Sequence, residues 1–237
     1  RLDAVIHLAA IAAPRECDKD PGRAFDVNVN GTLQVLRMAL ASGARKVVFS
    51  SSAHVYDIPP RYFPTDETHP LRLNNTYTTT KLLGEQLCQL FWENHGLAYT
   101  VLRLFNAYGP GQSPGYFIPD MIAKAQKGPI VLQGGKTTKD FVYVGDVARA
   151  FALAVETSFV GAINIGTGME TPLYDIAKRI ADAAGVACTS DDDGAYYTRM
   201  RADWTRASRV LGWKPTVPVE EGLGRTISEA KEPAIRP

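Results

Sequence analysis

Apolar residues recur along this chain with two periods that alternate. Residues 4–8 form an apolar, β-prone run, too short for a helix. Over residues 21–40 the spacing changes: Phe25, Val29, Leu33, Leu36 and Leu40 recur every three or four positions, which predicts a helix with one apolar stripe. Residues 46–50 (Lys-Val-Val-Phe-Ser) are a short apolar run between Gly43 and a serine cluster, hence a buried strand. A loop rich in proline and charge follows over 57–75. Leu83, Leu87, Leu90 and Phe91 then mark one face of a helix over 76–93, with Gly96 as its stop. Residues 99–104 are again strand. Strands that alternate with helices are most simply satisfied by a parallel, doubly wound α/β sheet.

After Asn106 the texture changes. Residues 108–116 are dense in glycine and proline and predict a loop. Helical spacing returns over 117–127, a short strand over 130–132, a strand that passes into a helix over 141–157, a strand over 162–165 and a helix over 173–184. Residues 189–196 predict an acidic, glycine-containing turn, and 207–211 and 220–230 short helices. The expected organisation is a sheet region over 1–107 and a smaller mixed α/β lobe over 108–237, with segments around 140–167 returning to the sheet. The first predicted strand starts at residue 4, so one of its edges has no predicted neighbour. The expectation is that a preceding segment supplies it.

Composition narrows the function classes. The chain has 237 residues, 45% hydrophobic and 22% charged, with a formal net charge of +1. That balance gives no electrostatic basis for a nucleic-acid partner or an anionic membrane surface. No apolar run approaches the ~20 residues that span a bilayer, and the first residues do not read as a signal peptide. Cys17, Cys88 and Cys188 are far apart, odd in number and in no zinc-type spacing. They read as unpaired thiols, which points to the cytoplasm. Asp191, Asp192 and Asp193 read as a solvated loop rather than a metal site, since adjacent carboxylates cannot all turn onto one ion.

The sharpest chemical signal is Tyr77-Thr78-Thr79-Thr80-Lys81 at the start of a predicted helix. Positions i and i+4 lie one turn apart on one face. A lysine ammonium there can favour the phenolate of a nearby tyrosine and pull it down from ~10 towards a usable acid/base. Upstream, Ser50-Ser51-Ser52 stand at the C-terminal end of a predicted parallel strand, the side on which open α/β sheets bind ligands. A serine there can hydrogen-bond a reacting oxygen.

Seven motifs occur in order: His7-Leu8-Ala9-Ala10, Asn28-Val29-Asn30-Gly31-Thr32, the stretch from Ser50 to Tyr56, Tyr77 to Lys81, the stretch from Leu102 to Pro110, the stretch from Asp140 to Ala148, and Leu211-Gly212-Trp213-Lys214-Pro215. The series resembles the NAD-dependent epimerase/dehydratase family of extended short-chain dehydrogenases over nearly the whole chain. The resemblance implies a Rossmann-like fold that lacks its first part, NAD as cofactor with NADP not excluded, and a sugar or nucleotide-sugar substrate. It implies roles by position. Tyr77 is the general acid/base, Lys81 tunes it and holds the nicotinamide ribose, and Ser52 binds the substrate hydroxyl. Leu8, Ala9, Ala10, Asn28, Ser51 and Phe105 line the cofactor groove. His54, Asn106, Lys139 and Arg199 face substrate, Lys139 at a position where many relatives carry a phosphate-binding arginine. Asp140 to Asp146 forms a structural corner. The helices around 24–42 and 76–94 are implied to pair two subunits into a homodimer.

Within that family, Ala53-His54 stands where dehydratases carry an Asp-Glu pair, so epimerisation or simple oxidoreduction is expected rather than dehydration. The glycine-rich phosphate turn and the acidic residue that follows it are not found between residues 1 and 237. By themselves these residues are expected to bind cofactor weakly. Asp191 to Ala195 occupies the place of a phosphate-clamping Arg-x-Gly stretch, which leaves open a dehydrogenase acting on a sugar or polyol without a diphosphate. A non-catalytic binding protein on the same fold is the other alternative, opposed by the presence of Ser52, Tyr77 and Lys81 together. No G-x-S-x-G elbow occurs, which argues against a hydrolase. His7 and Trp213 are expected to be core residues.

Overall fold

The structure is a computed structural model that describes residues 2–191 and 198–231. In chain order its elements are β1 (Ala4–His7), α1 (Pro14–Lys19), α2 (Pro21–Phe25), a π turn (Asp26–Asn30), α3 (Gly31–Ala41), β2 (Lys46–Ser52), a 3-10 turn (Ala53–Val55), α4 (Thr76–His95), β3 (Ala98–Leu104), β4 (Asn106–Tyr108) and α5 (Phe117–Ala125). There follow β5 (Ile130–Gln133), β6 (Thr138–Lys139), β7 (Phe141–Tyr143), α6 (Val144–Glu156), β8 (Gly161–Ile165), β9 (Thr171–Pro172), α7 (Leu173–Ala184), β10 (Cys188–Asp191), α8 (Thr205–Leu211) and α9 (Val219–Lys231).

Among the described residues β1, β2, β3 and β8 form one parallel sheet in that order. Side chains alternate across it, as strand geometry requires. Val47, Phe49 and Val101 pack with Leu36 of α3 and with Cys88 and Phe91 of α4. Val48, Leu102, Ile163 and Ile165 pack on the other face against α6 and α8, where Trp213 is also buried. Both faces are thus covered by helices, the doubly wound arrangement expected from the sequence, and β8 returns to the sheet from the later half of the chain. A second core joins Ile118 and Met121 of α5, Ile130 and Leu132 of β5, Ile176 and Ile180 of α7, and Leu223 of α9.

Several predicted elements differ in detail. The single helix expected over 21–40 is interrupted by the π turn. There Asn28 is drawn inward: its amide oxygen accepts from Ile11 N at 2.7 Å, and its NH₂ donates to Ile11 O and Thr80 Oγ1 at 3.0 Å each. A wider turn lets the backbone swell around an inward polar residue without losing the helix. Residues 188–191, expected to begin a turn, instead form β10 beside β5; Asp192 to Tyr196 of that turn lie outside the described residues. The strand expected to open the 141–157 segment is β7, whereas its partner β4 and the two-residue strands β6 and β9 carry no periodicity of their own and were not expected.

α4 is set deliberately against the sheet. Asn75 and Thr78 form a capping box, and Gly96 ends the helix at φ 68°. Gly84 allows the close approach to β2: a Cβ there would lie 2.4 Å from Phe49 Cζ. That contact fixes the depth at which Tyr77 and Lys81 meet the end of β2.

Candidate active site

A cleft of about 500 Å³ opens at the C-terminal end of the parallel strands, where parallel sheets bind their ligands. The end of β2 contributes Ser50, Ser51, Ser52 and His54; α4 contributes Tyr77 and Lys81; the end of β3 and β4 contribute Phe105 and Asn106; the second core contributes Lys139 and Phe141. Leu8, Ala10, Ala12 and Pro14 form an apolar wall beside β1. Ala9 and Asn28 are not part of the lining. Asn28 serves at one remove, holding the Ile11 loop against Thr80 of the helix that carries Tyr77. Residues 112 and 115–118 complete the cleft. Residues 112, 115 and 116 fall in the loop expected over 108–116, and 117 and 118 open the helix expected over 117–127; neither segment was expected at the site, and the only signal was a glycine- and proline-rich connection directly after a sheet strand.

Ser52, Tyr77 and Lys81 are brought together and are almost fully buried. Lys81 Nζ donates to Ser50 O at 2.8 Å and stands 5.9 Å from the centre of the Tyr77 ring. Burial pushes the Lys81 ammonium down to about 8, with the Glu85 carboxylate among the groups that oppose it. Tyr77 departs from expectation. Burial pushes its phenol up to about 12, opposed by the neighbouring Ser52 hydroxyl. The sequence had predicted a lysine-lowered phenol, but the Lys81 ammonium is turned to a strand carbonyl and desolvation prevails.

Ser51 has a second partner besides the cleft. It borders the cleft, yet its hydroxyl donates to Glu85 Oε1 at 2.5 Å on the α4 side of the sheet. Strand alternation is the reason: residue 51 shares a face with Val47 and Phe49. Glu85 in turn holds Arg103, with Nη2 to Oε2 at 2.7 Å and Nε to Oε1 at 3.1 Å. Arg103 Nη1 donates to Tyr56 Oη at 3.2 Å, and Tyr56 Oη donates to Asn164 Oδ1 at 2.5 Å.

On the side of the second core, His54 lines the cleft and its ring makes no hydrogen bond among the described residues. Burial, with the Lys139 ammonium nearby, pushes it down to about 4, so the imidazole is neutral near pH 7. Lys139 is half-buried; its Nζ lies 3.5 Å from Met200 Sδ and meets no carboxylate among the described residues. Burial lowers its pKa. Gln112 donates to Ala107 O at 3.0 Å, while its Oε1 has no partner. Arg199, expected at the substrate, is not in the lining: Glu170 holds its guanidinium at 2.6 and 2.8 Å, and it stacks on Phe63 at 4.6 Å.

The remaining expectations concern support. His7 is buried with Nε2 2.9 Å from Thr32 Oγ1. Asp140 is fully buried and accepts from Thr167 N and Oγ1 at 2.7 Å, Gly168 N at 2.8 Å and Ala202 N at 3.0 Å. Asp146 accepts from Thr216 and Val217, and Trp213 Nε1 donates to Asp146 O at 2.9 Å. Both carboxylates therefore tie distant loops together, as a structural corner should.

The donor set suits one half of a dinucleotide. Leu8, Ala10, Ala12, Pro14 and Phe105 give the cleft apolar lining, and Lys81 and Tyr77 add to it an ammonium and a phenol that can each bond a ribose hydroxyl. Comparison with known proteins agrees. Residues 1–166 match the model of the NAD dependent epimerase/dehydratase family. A protein of Methanocaldococcus jannaschii, provisionally named as a UDP-glucose 4-epimerase, is 35% identical over 97% of this chain and 77% of its own length. The UDP-glucose 4-epimerase of Mycolicibacterium smegmatis is 33% identical over 95% of this chain and 75% of its own. The crystal structure of the Thermotoga maritima UDP-glucose 4-epimerase with UDP-glucose superposes with a TM-score of 0.88 at 31% identity, covering 97% of this chain and 77% of that one.

Proposed function

Since the chain belongs to the NAD-dependent epimerase/dehydratase family, we propose that it works as a nucleotide-sugar epimerase in which Tyr77 is the acid/base. The observation that carries this reading is the convergence of Ser52, Tyr77 and Lys81 in one cleft at the end of β2. NAD, when bound, supplies the acceptor for a hydride from the sugar carbon and returns that hydride. The chain's own residues handle the proton and the orientation. Ser52 holds the reacting hydroxyl beside Tyr77. The Tyr77 phenolate takes the hydroxyl proton as the carbon is oxidised, and the phenol returns it on re-reduction. Lys81 bonds the ribose and, 5.9 Å from the centre of the Tyr77 ring, places a positive charge against the burial that otherwise holds the phenol protonated. If the ketone turns between the two transfers, the new hydroxyl has the opposite configuration.

Lys139 supports a substrate with a phosphate. A half-buried ammonium that meets no carboxylate is costly unless a ligand brings the anion. Phe105 and the apolar wall from Leu8 to Pro14 would hold the nicotinamide, and Asn106 and His54 would face the sugar. In this reading residues 1–107, with 140–167, make the cofactor side and the rest of 108–237 the substrate side. Exposed Met38 and Leu40 of α3, and Leu90 and Trp92 of α4, support a homodimer through those helices.

The test is to supply the protein with NAD and UDP-glucose and follow UDP-galactose by NMR. Interconversion without net NADH is the expected result. Stoichiometric NADH would replace epimerase by dehydrogenase, and NAD binding with no turnover of any nucleotide sugar would remove the reading.

A further inference from the structure

α4 grips the end of β2 twice, at successive residues, with side chains one helical turn apart. Lys81 Nζ holds Ser50 O at 2.8 Å, and Glu85 Oε1 holds the Ser51 hydroxyl at 2.5 Å. The next residue is Ser52. Glu85 is itself held from β3, where Arg103 is the register partner of Ser51 and binds both carboxylate oxygens. Side chains of this ion pair are only 7% and 11% exposed, so the pair is sheltered from screening. Arg103 is fixed in turn by Tyr56, which follows the 3-10 turn that Ser52 caps. A closed ring of contacts therefore runs from Ser51 through Glu85, Arg103 and Tyr56 back to the segment that carries Ser52. Packing alone does not require this polar ring, since the neighbouring positions of β2 and β3 on that face, Val47, Phe49 and Val101, are apolar.

We propose that Glu85 is a positioning residue: through Ser51 and Arg103 it fixes the end of β2 so that Ser52 meets Tyr77. The proposal rests on the reading of Ser52 and Tyr77 as the reacting pair, and it goes beyond that reading by extending the machinery to a carboxylate that does not touch the cleft. Held at two successive residues, β2 cannot slide or twist at its end. Without Glu85 the end of β2 keeps its ladder to β3 and Lys81 at the Ser50 carbonyl but loses its side-chain anchor at residue 51, so Ser52 can shift away from the phenol.

The experiment compares Glu85→Ala, Glu85→Gln and Ser51→Ala with the parent enzyme, all with NAD bound. Crystal structures give the Ser52 Oγ to Tyr77 Oη separation, and steady-state kinetics give kcat and KM. A displacement of about 1 Å with kcat down about 100-fold is expected for Glu85→Ala, with KM and NAD affinity little changed. Glu85→Gln keeps an acceptor for Ser51 and should restore most of kcat. Ser51→Ala leaves the Glu85–Arg103 pair intact, so it decides the matter if Glu85→Ala does not fold; kcat down about 10-fold is expected. A merely structural role would lower the melting temperature and leave kcat and the separation as they were, and that result overturns the proposal. A lengthened separation with undiminished turnover would uphold Glu85 as the positioner and remove Ser52 from the chemistry instead.

Discussion

The cleft has two unlike regions. At the end of β2, polar groups are already bound to protein: Lys81 to Ser50 O, Ser51 to Glu85, and the Ser52 hydroxyl to the backbone N–H of His54. Towards the second core, polar groups are held loosely: the His54 ring makes no hydrogen bond among the described residues, Gln112 Oε1 has no partner, and Lys139 touches a thioether. Groups that must act on a reacting atom need fixed geometry, which saturated hydrogen bonding provides. Groups that must recognise a ligand keep bonding capacity in reserve for it. On the proposed reading, the difference divides the cleft into a region for chemistry and a region for selection.

Three substitutions sharpen or break that division. Tyr77→Phe has the largest expected effect. It removes the proton carrier and should lower kcat about 10²- to 10⁴-fold with NAD affinity nearly unchanged, read by turnover and cofactor titration; retained turnover would move the chemistry elsewhere.

His54→Gln comes next, through pH and stability. Above the unfolded value near 6.5 the imidazole is neutral in both folded and unfolded chains and contributes no pH dependence. As pH falls from 6.5 towards the folded value of about 4, the unfolded chain takes up the proton first. Stability is therefore lost in that window, by on the order of 3 kcal/mol at its lower end. Denaturant midpoints at pH 7 and pH 4.5 should differ less in the variant. An equal loss would show that His54 is not the group that resists protonation.

Lys139→Met has the smallest expected effect on kcat. It should raise KM for a diphosphate sugar by about 10- to 100-fold, as expected for a lost charged hydrogen bond. The melting temperature should hold or rise, because a half-buried ammonium is removed. An unchanged KM would favour a substrate without phosphate.

Much of this was legible in the chain. The period changes located β2, α4 and β3 to within two residues at their starts, because β2 and β3 are short apolar runs and α4 a long helix with an apolar face, each bounded by glycine, serine or capping residues. The Tyr77 to Lys81 spacing and the serines at the end of a strand marked the site, because their alignment is local: one helical turn and one strand end. β4, β6 and β9 were not legible, since two or three residues carry no period, although the strand at β7 was. Arg199 was misplaced because sequence proximity to a family position does not reveal that Glu170 claims it.

The sequence by itself thus determined most of the elements, their alternation and the residue types that the cleft brings together. Those properties follow from backbone periodicity and side-chain chemistry within a few positions. Tertiary structure alone decided which state those residues adopt. Whether Tyr77 lies above or below its ordinary value depends on burial by distant segments and on where the Lys81 ammonium turns. Whether a serine faces α4 or the reacting pair depends on the pleat of β2 within the assembled sheet. Desolvation and long-range pairing are properties of the packed chain, and no local pattern encodes them.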